Sequence, residues 1–386
     1  MSKVQISDAV RYIGCDDHQI DLFESQYVVP NGVSYNSYLI LDEKVAIMDT
    51  ADRRVTEEWF ANLETELAGR KPDYLVISHL EPDHAYNIQR VCEKYPEMQV
   101  VSNAKVFAMI PQFFDVDLSQ RKVVVKEGDT LNLGTHTLTF VMAPMVHWPE
   151  VMVEYESTEK ILFSADGFGK FGALDVEEEW DCEARRYFIN IVGKYGPSVQ
   201  ALLKKAATLD IATICPLHGP ILKENLEHYI SLYDIWSSYR PENEGVTLAY
   251  ASIHGNTEIA AKKLAEMLEA KGQKVSLFDL ARCDMAEAVE DAFRYDKLVV
   301  AAPTYDAALF PAMEDFLYHL KVKNYQNRTI GIVENGSWAP MAGKLMKAYA
   351  DGFKNCKVIE PVVTIKSTVK ESTVAALEAL AAALVE

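Results

Sequence analysis

The run Tyr74-Leu75-Val76-Ile77-Ser78-His79-Leu80-Glu81-Pro82-Asp83-His84 decides how the first half of this chain is read. Its apolar start has the composition of a buried strand. Its end puts four metal-binding side chains at the C-terminal edge of that strand, where α/β proteins build their sites. While the backbone stays extended, His79, Glu81 and Asp83 alternate by two and project to one side, and His84 follows as a helix begins. One metal ion cannot easily take all four from so short a loop. The stretch therefore reads as half of a two-metal site whose other half lies downstream.

Three later segments repeat an apolar run that ends in one ligand type. Residues 137–146 run into His147, residues 161–165 into Asp166, and residues 211–217 into His218-Gly219. A lone histidine after a strand is usually structural, but four such strand ends in one domain point to a common site. The set is four histidines and three carboxylates. His228 competes for the last position, but it falls in a helical pattern over residues 224–236, so His218 is preferred. His18, His136 and His319 have no supporting cluster. Asp49-Thr50 closes a strand hairpin over residues 33–48 and reads as a structural cap or an outer partner of the site. Helices are expected over residues 56–67 and 87–95, with a strand at 99–102. Further helices at 177–191 and 196–208 would cover the site, and Trp148-Pro149-Glu150 either shapes its pocket or packs.

The bulk composition agrees with two globular domains. The chain has 386 residues, 49% apolar and 25% charged, too many for one ordinary core. No apolar run reaches the roughly 18 residues of a membrane span, and the start has no signal-peptide pattern, so a cytoplasmic protein is expected. Six scattered cysteines form no C-x-x-C pair, which argues against a disulfide framework, a thiolate zinc site or a built-in rubredoxin. A net charge of −19 argues against nucleic acid or an anionic membrane as partner. Residues 244–386 carry 16 Lys+Arg against 19 Asp+Glu, which leaves −16 on residues 1–243. An acidic electron carrier meets less repulsion at the C-terminal half.

Polar and turn residues at 239–245 mark the boundary, giving domains at 1–243 and 246–386. In the second, five strands near residues 246–251, 274–277, 297–302, 329–333 and 358–365 alternate with five helices, the last at 373–385. That alternation defines a doubly wound parallel sheet. Ser252-Ile253-His254-Gly255-Asn256-Thr257 follows the first strand and opens a helix, a backbone suited to a terminal phosphate monoester. It is neither a G-x-G-x-x-G fingerprint nor a P-loop. Thr304-Tyr305-Asp306 and Asn335-Gly336-Ser337-Trp338 end the third and fourth strands and bring aromatic rings to the same edge, as a stacked flavin requires.

On these residues the first domain resembles the metallo-β-lactamase superfamily, with its H-x-[HE]-x-D-H signature, an αββα sandwich and isolated His, Asp and His ligands. Hydrolases of that superfamily usually carry histidine where Glu81 stands, and a carboxylate there favours iron over zinc. The second domain resembles flavodoxin, with Ser252, His254, Gly255, Asn256 and Thr257 at phosphate-loop positions and Thr304, Tyr305 and Trp338 as ring contacts. His254 replaces a common Thr and Asp306 a common Asn. The two in this order resemble the minimal two-domain class of flavodiiron proteins. That resemblance implies FMN, a non-haem diiron site and reduction of O2 to water, NO to N2O, or both. It assigns His79, Glu81 and His147 to one iron, Asp83, His84 and His218 to the other, and Asp166 to both, with His84 the least secure. It also implies rubredoxin, or a reduced deazaflavin, as electron donor. The assembly it implies is a head-to-tail homodimer or dimer of dimers, with FMN of one subunit facing the irons of the other. The alternatives are a hydrolase fused to a flavodoxin, and an electron carrier with a purely structural metal domain.

Overall fold

The computed structural model describes residues 4–386. Its contacts divide the chain into two compact units: the described part of Met1–Phe188 with Pro197–Asp234, and Ile189–Gly196 with Ile235–Glu386.

The first unit is a sandwich of two sheets. One has six strands in the order Val10–Tyr12, Tyr38–Leu41, Val45–Met48, Tyr74–Val76, Gln99–Asn103 and Lys122–Val125, antiparallel at its start and parallel from Val45–Met48 onward. The other runs Thr130–Asn132, Thr137–Met142, Met152–Glu156, Ile161–Phe163, Thr213–Cys215. Alternate side chains of both sheets, Tyr38, Met48 and Val76 from one and Phe140, Met152 and Phe163 from the other, form one buried cluster. Each such side chain contributes about 1.5–3 kcal/mol on burial. The helix Thr56–Leu67 lies where its periodicity predicts it. The sandwich is the expected β-lactamase-like arrangement.

Several local expectations are corrected. Pro82 at the first helical position starts a short helix, Pro82–Ala85. Asp83 therefore belongs to the helix with His84, and the alternation by two ends at Glu81. The strand leading to His147 stops at Met142, and the chain then loops, closed by Ala143 N–H donating to Val151 O at 2.9 Å. His147 sits in this loop rather than at a strand end. The first part of the 33–48 hairpin is separate: Val33–Tyr35 pairs with Cys15–Asp17. The helix expected from residue 177 starts at Trp180 and changes to a π turn at Phe188–Val192. The next helix is Gly196–Ala206, tied by Lys205 to the Met142 carbonyl.

The second unit is a parallel sheet in the order Val275–Asp279, Asn243–Tyr250, Tyr295–Tyr305, Thr329–Asn335, followed by Lys357–Val358 and Val363–Ile365. The last strand was expected to be continuous over 358–365. It breaks around Pro361, whose missing N–H cannot serve a ladder. Helices Asn256–Ala270 and Glu371–Val385 share one apolar cluster with the sheet, and Met285–Arg294, Pro311–Val322 and Ala342–Asp351 pack in succession. The strand order reverses beside Asn243–Tyr250, which fixes where loops can diverge to admit a ligand.

Candidate metal centre and cofactor pocket

The seven candidate ligands come together in the first unit. Ligand atoms of His79, Glu81, His147 and Asp166 lie within 4.8 Å of one another, as do those of Asp83, His84 and His218. Asp166 faces both groups. Its Oδ2 is 3.3 Å from His79 Nε2 and 3.2 Å from His147 Nε2, while its Oδ1 is 3.2 Å from His84 Nε2 and 3.8 Å from His218 Nε2. Glu81 Oε2 lies 2.9 Å from His147 Nε2, and Asp83 Oδ2 lies 3.2 Å from His218 Nε2. His228, the competitor, pairs with Asp181 instead.

The donor chemistry fits a pair of cations. His84 Nε2 and His218 Nε2 point at each other from 3.0 Å. Both oxygens of Asp83 and of Asp166 are buried without a conventional hydrogen-bond partner. Such groups are costly unless paired or metal-bound. Burial alone opposes every charge here. For His147, the nearby Asp166 and Glu81 carboxylates outweigh burial and push it up to about 9. For Asp166, the nearby imidazoles of His147, His79 and His84 likewise outweigh burial and hold the carboxyl well below its usual range.

Outer partners aim the rings. His79 Nδ1 lies 2.8 Å from Glu150 Oε1, and His218 Nδ1 donates to Ser34 O at 2.7 Å, so each turns Nε2 toward the cluster. Glu150 is therefore part of the site, and Trp148 packs edge-on against His79. His84 Nδ1 is buried with no hydrogen-bond partner, so that ring is less firmly fixed. Asp49, at φ 55°, accepts from Ser78 N–H at 2.8 Å, and Thr50 donates to His84 O at 2.6 Å. Both hold the loop backbone from outside the cluster.

Sequence reasoning missed Asn36, whose Nδ2 donates to Pro216 O and Gly219 O at 2.8 Å each and braces the turn carrying His218. Its position in the break of an otherwise apolar hairpin was the available signal. Gly219 has φ +79°, and a Cβ there would meet Lys170 Cγ at 2.7 Å, which accounts for the His-Gly pair. Tyr187, from the helix Trp180–Tyr187, reaches the His218 ring at 5.5 Å.

In the second unit a cavity of about 650 Å³ opens at the strand ends, a size suited to a small organic ligand. All twelve predicted cofactor residues except Gly255 line it, joined by Ile253, Ala307 and Ser367 among others. Gly255 has φ +84° and open space around it, so conformation rather than crowding requires glycine. It places the loop at the head of the helix Asn256–Ala270. Asn335 accepts from Ser367 N–H and donates to Thr257 Oγ1, joining two of the loops. Thr304 Oγ1 accepts from Met341 and Ala342 N–H, so much of its polar capacity serves the next loop. Tyr305 is 46% exposed and Trp338 92% exposed on the rim.

The family model described as ODP family beta lactamase matches residues 33–219, and that for flavodoxin matches residues 248–338. An uncharacterised protein of Methanocaldococcus jannaschii is 30% identical, over 82% of this chain and 81% of its own. A nitric oxide reductase of Moorella thermoacetica is 29% identical, over 94% and 93%. The rubredoxin oxygen:oxidoreductase of Desulfovibrio gigas matches in structure with a TM-score of 0.92 at 26% identity, covering 99% of this chain and 97% of that one. The chain belongs to the flavodiiron protein family. A flavodiiron protein is an oxidoreductase whose cofactors are FMN and two non-haem irons, and the buried, unpartnered carboxylate oxygens fit that metal pair. The fused-hydrolase alternative is not favoured.

Proposed function

We propose that this flavodiiron protein reduces O2 to water, NO to N2O, or both, with His79, Glu81 and His147 holding one iron, Asp83, His84 and His218 the other, and Asp166 both. The reading rests on Asp166, whose two oxygens each face one group of ligands. When bound, the irons would supply reversible one-electron chemistry, and FMN would take electrons one or two at a time and pass them on singly. The chain's own contribution is orientation and exclusion of water. Glu150 and the Ser34 carbonyl hold Nδ1 of His79 and His218, and the near-complete burial of the ligands keeps solvent from competing. Three anionic ligands, Glu81, Asp83 and Asp166, offset the cationic charge. Reduction of O2 takes four electrons and four protons to two waters; two NO take two electrons and two protons to N2O and one water.

FMN would sit against Ser252, His254, Gly255, Asn256 and Thr257 by its phosphate and between Tyr305 and Trp338 by its ring, with Thr304, Asp306, Asn335, Gly336 and Ser337 completing the pocket. The functional domains on this reading are 1–243 and 246–386. Rubredoxin is the proposed donor, as the name of the D. gigas relative suggests, with reduced deazaflavin as the alternative. A cytoplasmic location agrees with the described residues having no helix long and apolar enough to cross a membrane. The working assembly we propose is the one the family resemblance implies, a head-to-tail homodimer or a dimer of dimers, with FMN of one subunit facing the irons of the other.

Anaerobic stopped-flow of the reduced protein against each gas, with metal analysis, tests this reading. Two irons per chain and consumption of O2 or NO are expected. Two zincs, or flavin turnover with neither gas consumed, would overturn it. Full multiple-turnover activity of a dilute monomer would overturn the assembly.

A further inference from the structure

Glu154 is a buried acid that none of the assigned chemistry uses. It lies in the strand Met152–Glu156 and is 0% exposed. Its register partners on the neighbouring strands are Phe140 and Phe163, so all three side chains share the face that fills the space between the sheets. Glu154 Oε2 is 2.9 Å from the Ser78 hydroxyl, and Oε1 has no hydrogen-bond partner. A charged carboxylate there would keep a single hydrogen bond among phenyl rings, which does not compensate for the loss of water.

Asp49 also meets Ser78, at its backbone, and differs in its partners. Its Oδ1 accepts from the Ser78 N–H at 2.8 Å and the His79 N–H at 3.4 Å. Of the two acids, Asp49 has backbone donors to stabilise a charge and Glu154 does not. Burial, with the Asp49 charge adding to it, pushes the Glu154 carboxyl well above its ordinary range. The same strand also grips Ser78 by its backbone, since Met152 N–H donates to Ser78 O at 3.1 Å. Ser78 immediately precedes His79.

We propose that Glu154 is a positioning residue of the metal centre, which holds the Ser78 side chain and through it the backbone that delivers His79. The inference rests on the reading of His79 as an iron ligand. Glu154 joins the second sheet to the ligand loop of the first by a side-chain bond, beside the backbone bond from Met152 N–H to Ser78 O.

The test uses the purified holoprotein and three variants. E154Q keeps an uncharged group able to bond Ser78; E154L fills the space and cannot; S78A removes the hydroxyl and leaves the core acid in place. E154Q should retain the wild-type iron content and electron paramagnetic resonance signal. E154L should melt no lower than wild type, because replacing an under-bonded buried acid by a hydrocarbon is neutral or stabilising. It should nevertheless lose iron to a chelator about tenfold faster, with an altered signal. S78A should lose iron likewise, which keeps the test open if E154L does not fold. A merely structural residue would couple iron loss to lower melting. Wild-type signal and iron retention in both E154L and S78A would overturn the proposal, as would E154Q failing as E154L does. Wild-type protein that binds no iron would instead overturn the function proposed above, so the two failures are distinct.

Discussion

The metal cluster and the flavin pocket are built in opposite ways. The cluster draws seven side chains from positions 79 to 218, nearly all buried and two of them, His79 and His218, aimed by a second residue behind them. The pocket is made of three short loops at the edge of one sheet, where much of the surface is backbone or small side chains and the two large rings stand exposed. A site of the first kind is preorganised, and losing one member leaves the others buried and unpaired. A site of the second kind is divided among many weak contacts. Substitutions should therefore act almost all-or-none in the cluster and by degrees in the pocket.

Asp166 should show the largest effect. D166N keeps the shape but weakens an oxygen donor shared by both groups of ligands. Iron content should fall toward zero by metal analysis, and gas consumption by more than about 100-fold, beyond what loss of an outer partner costs. If D166N kept two irons, the cluster would not be the interdependent unit described here. Glu150 comes next. E150A removes the acceptor for His79 Nδ1 and for the Leu80 N–H. Iron affinity should drop by about 10–100-fold in chelator competition, with the fold intact by circular dichroism. An unchanged affinity would show that burial alone aims the His79 ring.

How much of this was legible in the sequence follows the same division. The candidate ligands at 79, 81, 83 and 84 stood out because four metal-binding types crowd one strand end, and the structure brings His147, Asp166 and His218 to them. What periodicity could not give was the local backbone. Pro82 turned the extended segment into a helix, and the strand before His147 ended at Met142, because turn formation there depends on a bond between residues 143 and 151. Asn36 and Glu150 were not assigned because their roles exist only once distant segments meet: Asn36 bonds carbonyls about 180 positions away in sequence and Glu150 a histidine 71 away. In the second unit the pocket was legible almost whole, since its three loops each follow a strand whose order in the sheet the alternation already implied. Ser367 was overlooked because it follows a strand too short and too broken to read.

The pocket should respond more gently, and its two most different members test that. Gly255 acts through conformation. G255A must hold an L residue at φ +84°, at about 1–2 kcal/mol, and FMN should bind roughly tenfold more weakly by flavin fluorescence titration. A hundredfold loss would mean that the phosphate loop is as interdependent as the metal cluster.

Trp338 should show the smallest effect and separates binding from folding most cleanly. With 92% of its surface exposed, the indole has almost no contact to lose on truncation. W338A should leave the melting temperature of the FMN-free protein unchanged, a stability difference within about 0.5 kcal/mol. Its area becomes useful only against a second flat surface. Stacking of that kind contributes about 0.5–1.5 kcal/mol beyond burial, so FMN affinity should fall by a factor of roughly 2 to 10. Conversely, W338A that destabilised the FMN-free protein while leaving flavin affinity untouched would make the indole a structural residue and remove one wall of the proposed ring site. For the seven candidate ligands themselves such a separation of binding from stability is not available, because each is already enclosed by the protein that it helps to organise.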